Sequence, residues 1–287
     1  MSAAEKQEFS DRAYILTDAD FSAISALVLE KSGIHLGDAK KDLVYSRLTK
    51  RIRTQKLSGF GEYLDFVKSG KGAAEREELI SAITTNVTNF NREGHHFEHF
   101  SDHVAPSIIE RARRGKPIRM WSAACSDGRE PFTLAMSLLN KMPEAGNFDI
   151  KILATDIDRK SIQIANTGQY TADMVNRLDR ATVDKWFEPA GDMMQVKQVV
   201  RNMVQFNVLN FLDDWPMKRK FDVIFCRNAL IYFKADMQEK IFDGFTRFLN
   251  DDAYMYIGHS ERIVGRAVDK FKSVGPTSFQ YKPKGIE

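Results

Sequence analysis

The sequence predicts an α/β protein in which a parallel sheet follows a helical N-terminal domain and carries a small β insert. Three observations predict it. From Pro117 onward, short apolar runs alternate with helical patterns, the arrangement that builds a parallel sheet with crossover helices. Before about residue 80, apolar residues recur at helical spacing. Between Gly168 and Phe206 the alternation breaks into short helical pieces and a β-rich run. The expected domains are therefore 1–80, helical, and 81–287, α/β, with the insert at 168–206.

Taken in order, residues 1 to about 12 are polar and expected to fray. Asp18 or Asp20 is placed to cap a helix carrying Phe21, Ile24, Leu27 and Val28, which Ser32-Gly33 would end. A second helix is expected from about Asp38 to Gln55, with Val44, Leu48 and Ile52 on one face, and a third from Phe60 to Val67. The small residues around Ser69 to Ala74 make a break before the acidic helix start Glu75-Arg76-Glu77-Glu78. Strands are expected at 118–124, 150–155, 222–226 and 253–258, with helices at 130–140, 159–166 and 235–249. The insert holds helical pieces at Ala172–Leu178 and Arg180–Phe187 and a β-rich run from Met193 to Phe206. Phe271 to Tyr281, interrupted by Gly275-Pro276, reads as a terminal antiparallel addition.

Composition sets the setting. Apolar content of 43% and charged content of 28% are ordinary for a soluble globular chain of 287 residues. No apolar run approaches the ~18 residues of a membrane span, and the charged start, Met1 to Arg12, lacks a signal-peptide core. Cys125 and Cys226 sit at apolar strand ends, which points to a reducing cytoplasm and not to a disulfide scaffold. A net charge of +3 does not by itself imply nucleic-acid binding.

The chemistry concentrates between Ile118 and Asp156. An apolar strand ends in the small-residue turn Ser122-Ala123-Ala124-Cys125-Ser126-Asp127-Gly128, a helix begins at Glu130, and the next strand ends in Thr155-Asp156. Small residues let a ligand approach the backbone, and an acid at the tip of the second strand can take both hydroxyls of a ribose. The turn lacks a full G-x-G-x-x-G, so it suits a nucleoside without a pyrophosphate, with S-adenosylmethionine the leading candidate. Asp156 has a second reading as the cap of the helix that starts at Asp158-Arg159-Lys160. Glu130 is favoured near a helix start by the dipole alone.

Four segments together resemble the CheR family of chemotaxis methyltransferases, which methylate glutamates on bacterial chemoreceptors. They are Thr84-Thr85-Asn86-Val87-Thr88-Asn89-Phe90-Asn91-Arg92-Glu93, Trp121 to Pro131, Arg227-Asn228-Ala229-Leu230-Ile231-Tyr232-Phe233, and Gly258-His259-Ser260-Glu261. The basic segment Lys41 to Leu48 is similar to the family's N-terminal domain, and the resemblance runs from about Phe21 to Tyr281. It implies a Rossmann-like S-adenosylmethionine-dependent catalytic domain, with S-adenosylhomocysteine as product. By motif position it places Asn86, Thr88 and Arg92 against the cofactor, with Arg92 also near the methyl-transfer centre. It puts Glu130 on the methionyl amino group, Asp156 on the ribose and Asn210 with Phe211 beside the adenine. Arg227, Asn228 and Tyr232 would line the pocket below the methyl. The sequence departs from the family pattern where Asn91 replaces an aromatic, Arg129 an acid and Phe132 a tyrosine. Arg129 would remove a negative charge beside the cofactor.

The implied reaction needs no general base, because a glutamate with an ordinary pKa of about 4.3 is already ionised at neutral pH. Catalysis then rests on proximity and orientation. Arg92 is suited to grip the incoming carboxylate and the Tyr232 hydroxyl to orient it; these two are the expected catalytic residues. Bland readings stand beside them: Arg92 pairing with Glu93 on the surface, and Tyr232 packing as a core aromatic. His95, His99 and His103, spaced by four beside His96, share a helical face, but without a completing ligand set they point to packing and no metal.

Between Lys40 and Lys56 lie seven basic residues and one acid, Asp42. A helical wheel places Lys40, Arg47, Lys50, Arg51 and Arg53 opposite the Val44, Leu48, Ile52 stripe. This face is expected to dock the Glu-rich helices of a chemoreceptor cytoplasmic domain and not nucleic acid; a merely solvated face is the bland alternative. In some family members the β insert grips a pentapeptide tether at the receptor C-terminus by strand addition. Here Phe187 to Met194 is a few residues shorter than in tether-dependent members, so independence of the tether is expected. Two rival functions remain open at this point. One is a methyltransferase for nucleic-acid amino groups, since Arg227 to Tyr232 is distantly similar to an Asn/Asp-Pro-Pro-Tyr motif. The other is a non-catalytic adaptor that binds cofactor or receptor.

Overall fold

The structure is a computed structural model that describes residues 14–283. The frayed start expected at 1–12 lies outside the described residues. The chain divides into two compact units between Thr85 and Asn86, a few residues beyond the boundary expected from sequence.

The first unit is helical: α1 (Asp18–Ser32), α2 (Lys41–Thr54), α3 (Phe60–Lys68) and α4 (Ala73–Ile83). Thr17, and neither Asp18 nor Asp20, caps α1. Its hydroxyl accepts the Asp20 N–H while the Asp20 carboxylate takes the Thr17 N–H, a reciprocal capping box. Gly33 closes the helix with φ 75°, the left-handed position where glycine escapes the Cβ penalty. Val44, Leu48 and Ile52 of α2 are fully buried, as their spacing requires.

Two of the basic residues on α2 do not lie on the solvent face assigned to them. Arg51 makes a bidentate pair with Glu75, Nε to Oε1 at 2.8 Å and Nη2 to Oε2 at 2.6 Å, and reaches Glu78 at 2.7 Å. Arg47 donates through Nη1 to the carbonyls of Ala82, Ile83 and Thr84 at 3.1, 3.0 and 2.6 Å, and so satisfies the C-terminus of α4. Four residues apart, the two arginines share one face of α2, and that face meets α4. Lys40, Lys50 and Arg53 are exposed.

The second unit opens with α5 (His95–His99), a π-turn (Phe100–Val104) and α6 (Ala105–Arg113). Strands and helices then alternate: β1 (Ile118–Ala123), α7 (Arg129–Lys141), β2 (Ile150–Asp156) and α8 (Arg159–Thr167). The insert follows as β3 (Gln169–Thr171), α9 (Ala172–Val175), α10 (Arg180–Trp186), β4 (Phe187–Ala190), β5 (Met193–Val196) and α11 (Gln198–Arg201). The chain ends with β6 (Val204–Val208), β7 (Phe221–Cys226), α12 (Ala235–Phe248), β8 (Leu249–Ile257), β9 (Phe271–Gly275) and β10 (Ser278–Tyr281).

The main sheet has the order β6-β2-β1-β7-β8-β10-β9. Its first five strands run parallel, and β10 and β9 add an antiparallel hairpin at one edge. The insert forms a separate antiparallel sheet, β3-β5-β4. The β-rich run from Met193 to Phe206 is therefore not one piece of the insert. Met193–Val196 belongs to the small sheet, whereas Val204–Val208 is the edge strand of the main sheet, parallel to β2. Ala190 pairs with Met193, leaving only Gly191-Asp192 as the hairpin loop. Gly191 has φ 62°, the first central position that a type II′ turn gives to glycine.

Sheet register explains why distant motifs converge. Ala123 aligns with Thr155 on one side and Cys226 on the other, and Cys226 aligns with Ile257. One residue past this row, Ala124, Arg227 and Gly258 leave the sheet at its carboxyl edge beside Asp156, the last residue of β2. The chain reverses direction across the sheet at β1, so this is the switch point where open α/β sheets bind ligands. Large buried residues, Trp121, Phe225, Phe242, Phe245 and Tyr256 among them, fix the strands beneath it.

Candidate active site

The turn after β1 is built to lie close to a ligand. Ala124 and Ser126 adopt φ 60° and 52°, and Gly128 φ 91°. A Cβ on Gly128 would stand 2.8 Å from the Ala165 Cβ, so α7 and α8 pack this closely only with glycine there. The Cys125 N–H donates to the Thr155 carbonyl at 2.9 Å, tying the turn to the tip of β2. Cys125 and Cys226 are both buried free thiols, pushed up by burial.

Asp156 is not the cap of α8. That role falls to Asp158, whose carboxylate accepts the Lys160 N–H at 3.0 Å. The buried Asp156 carboxylate accepts the Ser126 N–H at 2.7 Å and the Asp158 N–H at 2.8 Å. Burial pushes it up to about 6 from an ordinary 3.8, against these two donors. Each oxygen keeps a lone pair, so the group fits the two hydroxyl donors of a ribose.

Glu130 opens α7 and is buried. It accepts the Ser122 hydroxyl at 2.7 Å and faces Arg227, Nη1 to Oε2 at 3.1 Å. Burial raises its pKa while the Arg227 charge and the Ser122 hydroxyl oppose the rise. Arg129, beside it, makes a buried bidentate pair with Asp127, so its charge is neutralised locally. Phe132 is buried against Tyr170 and Phe206.

The segment from Asn86 to Glu93 runs alongside this edge. The Asn86 amide donates to Asp158 at 2.5 Å and its carbonyl accepts the Ser126 hydroxyl at 3.1 Å. Asn91 sits at φ 53°, where asparagine is tolerated better than the aromatic of the family pattern. Arg92 does not pair with Glu93. It anchors through Nη1 on the Val87 carbonyl at 2.8 Å and stays half-exposed. Its own carbonyl accepts from Arg227 Nη2.

Glu93 instead turns inward, and sequence reasoning gave it no role beyond that surface pairing with Arg92. Its Oε1 accepts from Asn228 Nδ2 at 3.1 Å and lies 3.0 Å from His259 Nδ1. Its Oε2 is 3.2 Å from Arg227 Nη2, an ion pair without hydrogen-bond geometry. Burial opposes ionisation, but the His259 hydrogen bond, the Arg227 charge and the Asn228 amide outweigh it and hold Glu93 at about 2.

Glu261 is the second carboxylate that sequence reasoning left without a role. Buried, it accepts four backbone N–H groups: Gly258 at 2.5 Å, Asn228 and Ala229 at 2.9 Å, and Leu230 at 2.7 Å. It fixes the corner after β7, where Asn228 takes φ 58°. A hint was available, since each carboxylate sits inside a motif quoted for other residues.

The remaining expected residues are less tied together. Asn210 accepts the Leu212 N–H, and Phe211 packs on Trp215, Phe233 and Phe245. Thr88 and Tyr232 are half-buried, and neither side chain hydrogen-bonds another described residue; Tyr232 is not a core aromatic. Of the histidines, His96 bonds Thr277 at 2.8 Å and His99 bonds Tyr256 at 2.9 Å. His99 and His103 keep ring contact, centroids 4.9 Å apart, across the π-turn between them.

A parallel core sheet with a small-residue turn at its switch point and buried acids along its carboxyl edge is the arrangement of a Rossmann-like methyltransferase. The comparisons identify which one. Residues 86–279 match the CheR methyltransferase SAM binding domain and residues 19–84 the CheR methyltransferase all-alpha domain. A Rhizobium etli protein named "Probable chemotaxis protein methyltransferase" is 46% identical over 264 residues, covering 91% of this chain and 98% of that one. Chemotaxis protein methyltransferases of Borreliella burgdorferi and Escherichia coli are each 37% identical, covering 87% and 86% of this chain and 90% and 86% of theirs. The chain belongs to the CheR methyltransferase family. It is an S-adenosylmethionine-dependent methyltransferase of chemotaxis. Among the described residues, no helix is long and apolar enough to cross a membrane.

Proposed function

We propose that the protein esterifies glutamate side chains on the cytoplasmic helices of chemoreceptors, working in the cytoplasm. The observation that carries this reading is Arg92. Its guanidinium is anchored through Nη1 on the Val87 carbonyl and half-exposed, while its backbone carbonyl accepts from the buried Arg227. That leaves a planar fork for a carboxylate, and a carboxylate is the acceptor that needs no base.

S-adenosylmethionine supplies an electrophilic methyl on a positively charged sulfur. The chain's residues supply place and charge. Asp156 takes the ribose hydroxyls, Glu130 the methionyl ammonium, and Asn210 with Phe211 flank the adenine. Asn86, by holding Asp158 and the Ser126 hydroxyl, and Thr88 lie against the cofactor from the other side. Arg227 and Asn228 form the floor, and Tyr232 and Arg92 orient the glutamate. Because Arg92 holds the carboxylate before and during transfer, much of its effect falls on substrate binding.

Lys40, Lys50 and Arg53 would steer the acidic receptor helix. The two-residue Gly191-Asp192 loop supports independence from a C-terminal tether, since it leaves the insert no longer loop with which to grip a peptide. A titration with a receptor C-terminal pentapeptide tests that point; micromolar affinity would sink it.

The function itself is tested with tritiated cofactor and receptor-containing membranes, counting methanol released by base. A glutamyl ester releases it and an N-methyl product does not. Arg92→Ala should lose about 10- to 100-fold in kcat/KM, the worth of ~1.5–3 kcal/mol of charged hydrogen bonding. Alkali-stable label in the product would overturn the reading.

A further inference from the structure

Arg227 stands between two carboxylates and engages both. Nη1 meets Glu130 Oε2 at 3.1 Å, and Nη2 lies 3.2 Å from Glu93 Oε2. Its side chain is 1% exposed and stacks over the Phe97 ring at 5.4 Å, so it cannot satisfy itself with water. Glu93 reaches this place at a backbone cost: φ is 54°, the left-handed region that non-glycine residues occupy only when their surroundings hold them there. What holds it is its own side chain, bonded to Asn228 and His259 and paired with Arg227. The arrangement looks wasteful for folding alone, since it orders a strained glutamate to share an arginine that already has a partner.

We propose that Glu93 is a positioning residue for cofactor binding: it shares Arg227 with Glu130 and keeps Glu130 available to the cofactor ammonium. One guanidinium between two carboxylates leaves the trio with a net charge of −1. Remove the Glu93 charge and Arg227 has only Glu130 to neutralise. The pair then closes one to one, and the ammonium must compete with Arg227 for Glu130. Glu93 also sets the Asn228 amide on the same pocket floor. The inference rests on the placement of the methionyl ammonium at Glu130 given above.

Calorimetric binding of S-adenosylhomocysteine, which carries the same ammonium, tests it without turnover. Wild-type protein that binds no S-adenosylhomocysteine would defeat the cofactor placement itself. Given wild-type binding, Glu93→Gln should weaken the complex about 5- to 20-fold, and Glu93→Asp, which keeps the charge, by less than about threefold. In a Glu130→Gln background, the further Glu93→Gln change should cost less than about twofold, because the two act through one arginine. Equal losses in both backgrounds would show a merely structural role and overturn the proposal. So would Glu93→Gln binding within about twofold of wild type, or Glu93→Asp as weak as Glu93→Gln. Thermal melts of each variant confirm folding; should Glu93→Gln fail to fold, the folded Glu93→Asp protein decides by its own binding.

Discussion

The Arg129 guanidinium lies flat on the Asp127 carboxylate, Nε to Oδ1 at 2.9 Å and Nη2 to Oδ2 at 2.7 Å, with both side chains about nine-tenths buried. An arginine where the family pattern has an acid therefore adds no net charge beside the cofactor turn. The same Asp127 offers its carbonyl to the Tyr170 hydroxyl at 2.6 Å, which joins the turn to the insert. Breaking one partner of a buried pair strands the other charge. Arg129→Gln should lower unfolding free energy in urea by roughly 3–5 kcal/mol at neutral pH. A loss under about 1 kcal/mol would show that Asp127 is solvated and the pair incidental.

Asp156 carries a pH signature. Its folded pKa of about 6 lies above the ordinary 3.8, so between those values the folded state keeps a proton that the unfolded state has released. The contribution of Asp156 to stability then falls as pH rises from about 4 to about 6 and levels off above. The size is on the order of 2–3 kcal/mol. Asp156→Asn should remove this slope, so its stability relative to wild type should improve by about that amount from pH 4 to 7 in cofactor-free protein. On the proposed placement of the ribose at Asp156, S-adenosylhomocysteine binding should nonetheless weaken in the variant, because one acceptor oxygen is gone. A difference between the two proteins that does not change with pH would refute a carboxylate whose burial outweighs its two backbone donors.

The main sheet was legible because its strands are apolar runs closed by turn residues, and β1, β2 and β7 fall within a residue or two of their expected bounds. β6 was assigned to the wrong sheet for a physical reason. It is an edge strand with partly exposed residues, and period-two patterning records a strand without recording its partner. Arg47 and Arg51 went astray because a helical wheel marks charge and not which neighbour satisfies it. At the site, residue types were legible and pairings were not. Glu93 and Asn228 meet across 135 residues of chain, and only the sheet register brings them together. The fit of Asp158, and not Asp156, to the cap of α8 is likewise a matter of two residues that sequence alone leaves equivalent.

Glu261 and Gly258 form a second testable unit. Four N–H groups converge on one carboxylate, and an amide can offer only one oxygen to them. Glu261→Gln would turn an NH2 toward at least one of these donors. It should destabilise the protein by about 2–4 kcal/mol and depress turnover by displacing Asn228. Gly258→Ala attacks the same corner from the other side, since a Cβ there would stand 2.5 Å from the Asn228 side-chain nitrogen and 2.7 Å from its backbone nitrogen. Both variants should lose methyl transfer more steeply than stability. Normal turnover in folded Gly258→Ala protein would mean that the corner is free to move without consequence.

On α2 the basic residues separate into two roles that one experiment can tell apart. Lys40, Lys50 and Arg53 are exposed, whereas Arg51 is committed to Glu75, which is 3% exposed, and Arg47 to the end of α4. Arg51→Ala should therefore cost about 3 kcal/mol of stability by stranding a buried carboxylate. Reversing Lys40, Lys50 and Arg53 to glutamate should leave stability within about 0.5 kcal/mol. It should instead cut kcat/KM on receptor membranes roughly tenfold at low salt, through slower encounter with an acidic helix. The deficit should shrink at ~0.5 M salt, where exposed charges are screened within a few ångströms, and S-adenosylhomocysteine affinity should not change. If the triple reversal methylates receptor as fast as wild type at low salt, the exposed face is only solvated and docking lies elsewhere on the chain.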